Sequence, residues 1–272
     1  MGASTVNISA KDVMTLRERT GLGMMDCKEA LIQNNGDMKA AEEWLRAKMK
    51  GKMDTRTERT TAEGRISTAI KGGEAVIVEI RCETDFTARN DDFQKMVKDV
   101  TNLAMQAPAG EVAASDAIKK RVDDVRITTG ENMSYARGQH LKGEAFGSYI
   151  HHDGKRGAII QIEGGTADAE LLSGICMHVV AHVPTPIGVE EKDVPADTMK
   201  QVQNAAIEEA KASGKPEQIA QKIAEGKVRK YLEENTLLHQ KFVKDPAGKL
   251  SVKDVLPKGV KIVKFVRYVL GG

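Results

Sequence analysis

At 272 residues the chain is long enough for two or three modest domains rather than one core. Lys and Arg total 41 against 39 Asp and Glu, and a formal net charge of +2 excludes the basic surplus that a dedicated nucleic-acid binder needs for its phosphate contacts. No apolar run approaches the roughly 20 residues of a membrane span, and Met1-Gly2-Ala3-Ser4-Thr5 fits neither a signal peptide nor a myristoylation signal, so a cytoplasmic protein is expected.

Ser9 followed three residues later by Asp12 opens a helix carrying Val13, Leu16 and Arg17, stopped by Thr20-Gly21. A second helix is predicted from about Met25 to Asn34, ended by Asn35-Gly36. Asp37 caps a third, from Met38 to about Met49, with Ala41, Trp44 and Leu45 on one face. Three short helices over residues 1–50 make a compact bundle similar to ubiquitin-associated domains. The stretch from Lys48 to Glu63 lacks apolar periodicity and is rich in Lys, Arg and Thr, so it reads as a helix tail and a solvated linker, the linker placed at residues 51–63.

From Gly64 the period changes to that of strands. Arg65 to Ile70 and Glu74 to Arg81 flank the turn Lys71-Gly72-Gly73, and a helix follows from about Asp91 to Ala107. Ala145 to His151 and Arg156 to Glu163 repeat the hairpin around His152-Asp153-Gly154-Lys155, with a helix behind them from about Ala167 to His182. The repetition predicts an α+β fold of two related subdomains with antiparallel sheets, over residues 64–144 and from 145–196 onward. Asp197 to Ala212 and Pro216 to Tyr231, joined by Ser213-Gly214-Lys215, form an antiparallel helical hairpin over 197–231, with Val202, Ala205, Ile207, Ile219, Ile223 and Val228 as its seam. Residues 232–272 return to the second subdomain, and Gly259 to Leu270 reads as its last strand.

Little here suggests covalent chemistry. No G-x-x-x-x-G-K-[ST] loop is present, and no nucleophile and base stand together. His151-His152 lie on opposite faces if extended. His178 and His182 have helical ligand spacing, but no Glu follows His178 in an H-E-x-x-H pattern. Cys27, Cys82 and Cys176 are scattered and odd in number, which suits free thiols. Neither a metal nor a cofactor is expected. What does stand out is Thr84-Asp85-Phe86, a carboxylate and an aromatic ring at the mouth of the apolar strand Ala75-Val76-Ile77-Val78-Glu79-Ile80. An Asp-Phe pair there is either a turn residue followed by a core ring or a group set to enter another molecule.

The segment Leu16-Arg17-Glu18-Arg19-Thr20-Gly21-Leu22-Gly23-Met24-Met25-Asp26-Cys27-Lys28-Glu29-Ala30-Leu31 resembles the N-terminal signature of the translation elongation factor Ts family. Cys82-Glu83-Thr84-Asp85-Phe86-Thr87-Ala88-Arg89 resembles its second signature. Gly130-Glu131-Asn132, Met177-His178-Val179, Ser213-Gly214-Lys215-Pro216, Ile219-Ala220 and Glu225-Gly226 extend the likeness along nearly the whole chain. The resemblance implies a guanine-nucleotide exchange factor, without covalent catalysis, for the GTPase elongation factor Tu. It implies that Thr84, Asp85, Phe86 and Thr87 disturb the partner's magnesium and phosphate site, while Arg17, Met24, Met25, Gly130 and His178 bind the partner. It also implies that the core or the helical hairpin can pair two copies of the chain. Arg81 stands where the family has Asn, and Thr87 where it usually has Val. The alternative of a different class is an RNA- or ribosome-directed module using the bundle and the basic stretch after Lys48.

Overall fold

In a computed structural model, residues 7–212, 214 and 216–272 are described; the expectations placed on Met1 to Thr5, Ser213 and Lys215 lie outside them. Helices α1 (Ala10–Thr20), α2 (Met24–Gln33) and α3 (Met38–Asp54) form the N-terminal bundle. The Ser9 and Asp37 side chains accept hydrogen bonds from the backbone N–H groups of Asp12 and Ala40, and so supply two of the helix starts. Val13, Leu16, Cys27, Ala30, Leu31, Ala41 and Leu45 close a small core.

The first sheet has the order β1 (Glu63–Lys71), β2 (Glu74–Cys82), β4 (Met133–Lys142), β3 (Gly110–Glu111), with antiparallel pairing throughout. Its β1–β2 connection passes through Gly72 and Gly73 at φ 55° and 81°, the backbone a two-residue hairpin requires. Period-2 alternation along β2 sends Val76, Val78, Ile80 and Cys82 to one face, where α5 (Asp91–Ala104) and α6 (Asp116–Thr129) cover them. Ala75 and Ile77 go to the other face and meet the second sheet, β5 (Ala145–Ile150), β6 (Arg156–Glu163) and β7 (Lys261–Val269), through Ile66, Phe146, Ile159 and Tyr268. Helix α7 (Ala169–Ala181) lies over the far side of that sheet, on Ala158, Ile160 and Ile162. The core is therefore layered helix, sheet, sheet, helix, with one sheet-to-helix cluster on each outer side. The fully buried Glu79 sits in this architecture bonded by Arg81 Nε at 2.6 Å, Arg137 Nε at 2.8 Å and the Gly271 N–H at 2.9 Å, so its charge is paired from three directions.

Helices α8 (Ala196–Ala212) and α9 (Glu217–Asn235) pack chiefly on each other, which makes them an arm. Their seam differs from the sequence expectation. Ala206, Ala210, Ala220 and Ala224 are the buried residues, with Ile223 and Val228 beside them, while Ile207 and Ile219 point to solvent. Ile207 and Ile219 occupy positions turned away from this alanine seam, whereas Ile223 and Val228 line it as expected. A short helix, α10 (Val252–Val255), precedes β7.

Two more features depart from the sequence reading. The sequence pattern signals no element at helix α6 or strand β4. In the stretch read as helix tail and linker, α3 continues through Asp54, and the largely exposed residues after it are fastened to the α6–β4 junction rather than free of it.

Candidate functional site

The Thr84-Asp85-Phe86 segment is the start of a helix rather than an open loop. Helix α4 (Asp85–Arg89) is one turn long, and its N-cap Thr84 accepts the Thr87 N–H on its hydroxyl at 3.3 Å. Asp85 in the first turn and Arg89 in the last suit the helix dipole and approach each other to 3.1 Å. Asn90 ends α4 and begins α5, accepting the Asp92 N–H on its side chain at 2.8 Å. At the far end of α4, Arg65 Nε donates to the Ala88 carbonyl at 2.8 Å. One turn offers one buried face, and Thr87 and Ala88 occupy it, so Phe86 projects with 83% of its surface exposed. The core aromatic here is Phe93, fully buried on α5. Of the two departures from the family signature, Thr87 lies in the buried face and Arg81 pairs with Glu79.

The bundle presents a second exposed apolar group. Met24 and Met25, at the start of α2, are 47% and 75% exposed, and Arg17 is exposed on α1. The chain reaches them through Gly21, at φ 69°, where an added Cβ would lie 2.7 Å from Thr128 Cγ2 of α6. Glycine therefore lets this corner of the bundle press on the last turn of α6. Ion pairs from α3 to α6 hold it there, Arg46 to Asp124, Lys50 to Asp123 at 3.2 Å and Asp54 to Arg126 at 3.4 Å, and Ile127 packs against the bundle core.

Helix α6 ends at Gly130, whose N–H donates to the Arg126 carbonyl at 2.9 Å and whose own carbonyl accepts from Arg56 Nη1 at 2.8 Å. Glu131 then accepts both the Thr84 hydroxyl at 2.9 Å and the Thr84 N–H at 3.3 Å. Glu83 in turn accepts the Asn132 N–H at 2.6 Å. The C-terminal end of α6 thus supports both exposed apolar groups. Glu83, Glu131 and Asn132 lie inside the quoted motifs, yet the pairing joins residues 47 and 49 apart in sequence and needs the fold to be seen.

A family model described as Elongation factor TS matches residues 83–272. The chain is 40% identical to Elongation factor Ts of Rhizobium meliloti (strain 1021) over 258 residues, covering 89% of this chain and 84% of that relative. It is 39% identical to Elongation factor Ts of Paracoccus denitrificans (strain Pd 1222) over 276 residues, covering 97% and 92%. The chain belongs to the elongation factor Ts family.

For this elongation factor Ts family member, the expectation that His178 faces a partner is corrected. Its side chain is fully buried on α7. Nδ1 accepts the Val243 N–H at 3.2 Å, which leaves Nε2 to donate to Gln240 Oε1 at 3.0 Å. Gln240 passes the connection on by donating to the Pro184 and Glu234 carbonyls at 2.9 and 2.7 Å. The neutral imidazole fills both of its roles, and burial holds its pKa down at about 4, with the Gln240 bond opposing and neighbouring His182 adding to the fall. His178 ties α7 to the segment that follows the arm.

The thiols are equally inward. Cys27, Cys82 and Cys176 are free and buried, and burial pushes Cys82 up to about 12, with Glu131 and Glu63 adding their negative charge. His151 and His152 do touch, ring centroids 4.2 Å apart, because both lie beyond the end of β5 where strand alternation no longer applies. Among the described residues no cluster of three His, Cys, Asp or Glu is arranged to hold a metal ion, and no helix is long and apolar enough to cross a membrane.

Proposed function

We propose that this protein acts in the cytoplasm as the guanine-nucleotide exchange factor of elongation factor Tu, with Phe86 as its wedge. The observation that carries the reading is a ring left 83% exposed on a one-turn helix fixed at both ends, in a chain of the elongation factor Ts family. An unpacked aromatic costs the free protein apolar exposure and gains its contacts in a partner.

The nucleotide site of a GTPase holds phosphate through backbone amides and Mg²⁺. On this reading Phe86 displaces side chains packed behind that site, and Asp85, free to exchange Arg89 for a partner group, disturbs the water and carboxylates around the ion. Neither touches the nucleotide. Arg17, Met24 and Met25 hold the partner from the bundle, and the exposed part of the Gly130 turn contacts it nearby. Thr84 and Thr87 serve by shaping α4. The chain requires no cofactor or metal of its own, since the Mg²⁺ and GDP belong to the partner. Because coupling between sites is reciprocal, GDP must weaken the factor's binding by the same ratio that the factor weakens GDP, each tenfold corresponding to about 1.4 kcal/mol. Either nucleotide can therefore expel the factor and close the cycle.

The test is release of labelled GDP from elongation factor Tu with the protein at substoichiometric concentration. Accelerated release supports the reading. Release at the spontaneous rate, with RNA bound in a steeply salt-dependent manner, would favour the RNA-directed alternative.

A further inference from the structure

Two acidic residues on separate motifs exchange hydrogen bonds across the junction of α4 and α6. Glu131, just past α6, engages both Thr84 donors at 2.9 and 3.3 Å, and the same Thr84 hydroxyl accepts the Thr87 N–H that starts α4. Glu83, just past β2, takes the Asn132 N–H at 2.6 Å and lies 3.4 Å from Arg59 Nη1. The Asn132 side chain, largely buried, donates to the Thr57 and Arg59 carbonyls at 3.2 and 2.9 Å. Arg56 closes the group on the Gly130 carbonyl at 2.8 Å. Three segments that are distant in sequence, the tail of the bundle, the exit of β2 and the exit of α6, therefore meet in one polar network.

Such a network is out of proportion to the helix it holds. A five-residue helix is not stable by itself, and Phe86 adds no packing to it, so the direction of the ring is set by what fixes Thr84 and Ala88. Arg65 fixes Ala88 from β1. Glu131 fixes Thr84, and it does so with an ionised acceptor, the stronger kind of hydrogen bond.

We infer that Glu131 is the positioning residue of the Phe86 wedge, and that the Glu83–Asn132 bonds join that wedge to the docked N-terminal bundle. The inference rests on the exchange-factor reading for its consequence, and on the free protein for its geometry. A ring aimed before contact loses little freedom on insertion, whereas a frayed α4 would have to be ordered at that moment. Removing the Glu131 charge therefore slows the step in which the ring acts and leaves docking through Arg17, Met24 and Met25 intact.

The experiment uses the full-length chain with Glu131→Gln, Thr84→Val and the rescue variant Thr84→Ser, read in two ways. In GDP release from elongation factor Tu, Glu131→Gln is expected to lower the saturating rate about tenfold with the half-saturating concentration unchanged, the scale of one charge-assisted hydrogen bond. Thr84→Val should match it, the double variant should be no slower than either single one, and Thr84→Ser should recover most of the rate lost in Thr84→Val. In the free protein, amide hydrogen exchange of residues 87–89 should quicken about tenfold in Glu131→Gln while β2 and α5 keep their protection. Unchanged amides in α4 would overturn the inference, as would a saturating rate equal to wild type. Loss of protection extending through β2 and α5, with rate and half-saturation falling together, would make Glu131 a general structural residue and also overturn it. A wild-type protein that fails to release GDP would refute the exchange reading alone, and the amide measurement would still decide whether Glu131 orders α4.

Discussion

The buried His178 makes a pH dependence that can be worked out from its contacts. In the folded protein its pKa falls from 6.5 to about 4, because burial disfavours the imidazolium, with the Gln240 bond opposing and neighbouring His182 adding to the fall; protonation would also cost Nδ1 the bond it accepts from the Val243 N–H. The unfolded chain binds the proton near pH 6.5, so between that pH and about 4 the unfolded state holds more protons than the folded state. Stability from this group is complete above pH 6.5 and is lost as the pH falls towards 4. A difference of about 2.5 pKa units at about 1.4 kcal/mol each gives a loss of about 3 kcal/mol by pH 4, of which about 2 is gone by pH 5. Carboxylates with lowered pKa values, Asp245 and Asp254 among them, also lose stability on acidification, so wild type alone would not isolate the effect. The comparison is with His178→Gln, by urea unfolding monitored by circular dichroism from pH 4.5 to 8. At pH 7.5 the variant should be less stable by about 1–3 kcal/mol through the broken chain to Gln240 and Val243. That deficit should shrink or reverse by pH 4.5, since the variant has no proton to take up. Parallel stability curves over the whole range would refute the argument that His178 is held neutral by its surroundings.

Asp85→Ala should slow GDP release at millimolar Mg²⁺ and do so less when Mg²⁺ is scarce, because the step it assists is then partly complete; a deficit constant across a magnesium titration would remove Asp85 from that role. Deleting residues 1–54 should leave the layered core folded while weakening partner binding at least tenfold, measured by calorimetry, through loss of Arg17, Met24 and Met25. Equal affinity would show those residues to be only part of the bundle. Replacing residues 197–231 with a short Gly-Ser connection should preserve exchange, since α8 and α9 pack chiefly on each other, and solution mass measured on the same sample tests whether the exposed Ile207 and Ile219 pair two copies of the chain.

Strands whose buried face is aliphatic were readable from the sequence, and strands whose buried positions are polar were not. Val76, Val78 and Ile80 announce β2, and Ile160 and Ile162 announce β6. Strand β4 lies between β2 and β3, yet between its buried Met133 and Leu141 it reads as polar, because the inward positions there carry specific partners. His140 bonds the Ala107 carbonyl through Nδ1 at 2.8 Å, and the Tyr135 hydroxyl donates to the Val112 carbonyl at 2.8 Å in space that a side chain at Gly138 would fill. Arg137 reaches the buried Glu79. Hydropathy does not register such pairs. The same limit explains the linker, whose Thr57 and Arg59 side chains are exposed while their backbone carbonyls, with the Arg56 side chain, bond the α6–β4 junction. At the candidate site, residue types pointed to Phe86 and to the methionine pair, both of which are exposed. They did not point to Glu131, because what it touches, Thr84, lies 47 residues away in sequence. For His178 the motif supplied the position but not the burial, which depends on a segment beyond the arm.

The central claim is that the exposed ring of Phe86 acts on the partner after docking, and Phe86→Ala tests it most directly. Loss of the ring should cost the free protein almost no stability, because its surface is already 83% exposed. If the ring becomes buried only as GDP leaves, its removal forfeits about 1.5–3 kcal/mol, or roughly 10- to 150-fold in rate. Stopped-flow release of a fluorescent GDP analogue from elongation factor Tu, at factor concentrations well above half-saturation, should show that loss in the plateau rate with the half-saturating concentration little changed. A variant that reaches the wild-type plateau would contradict the account.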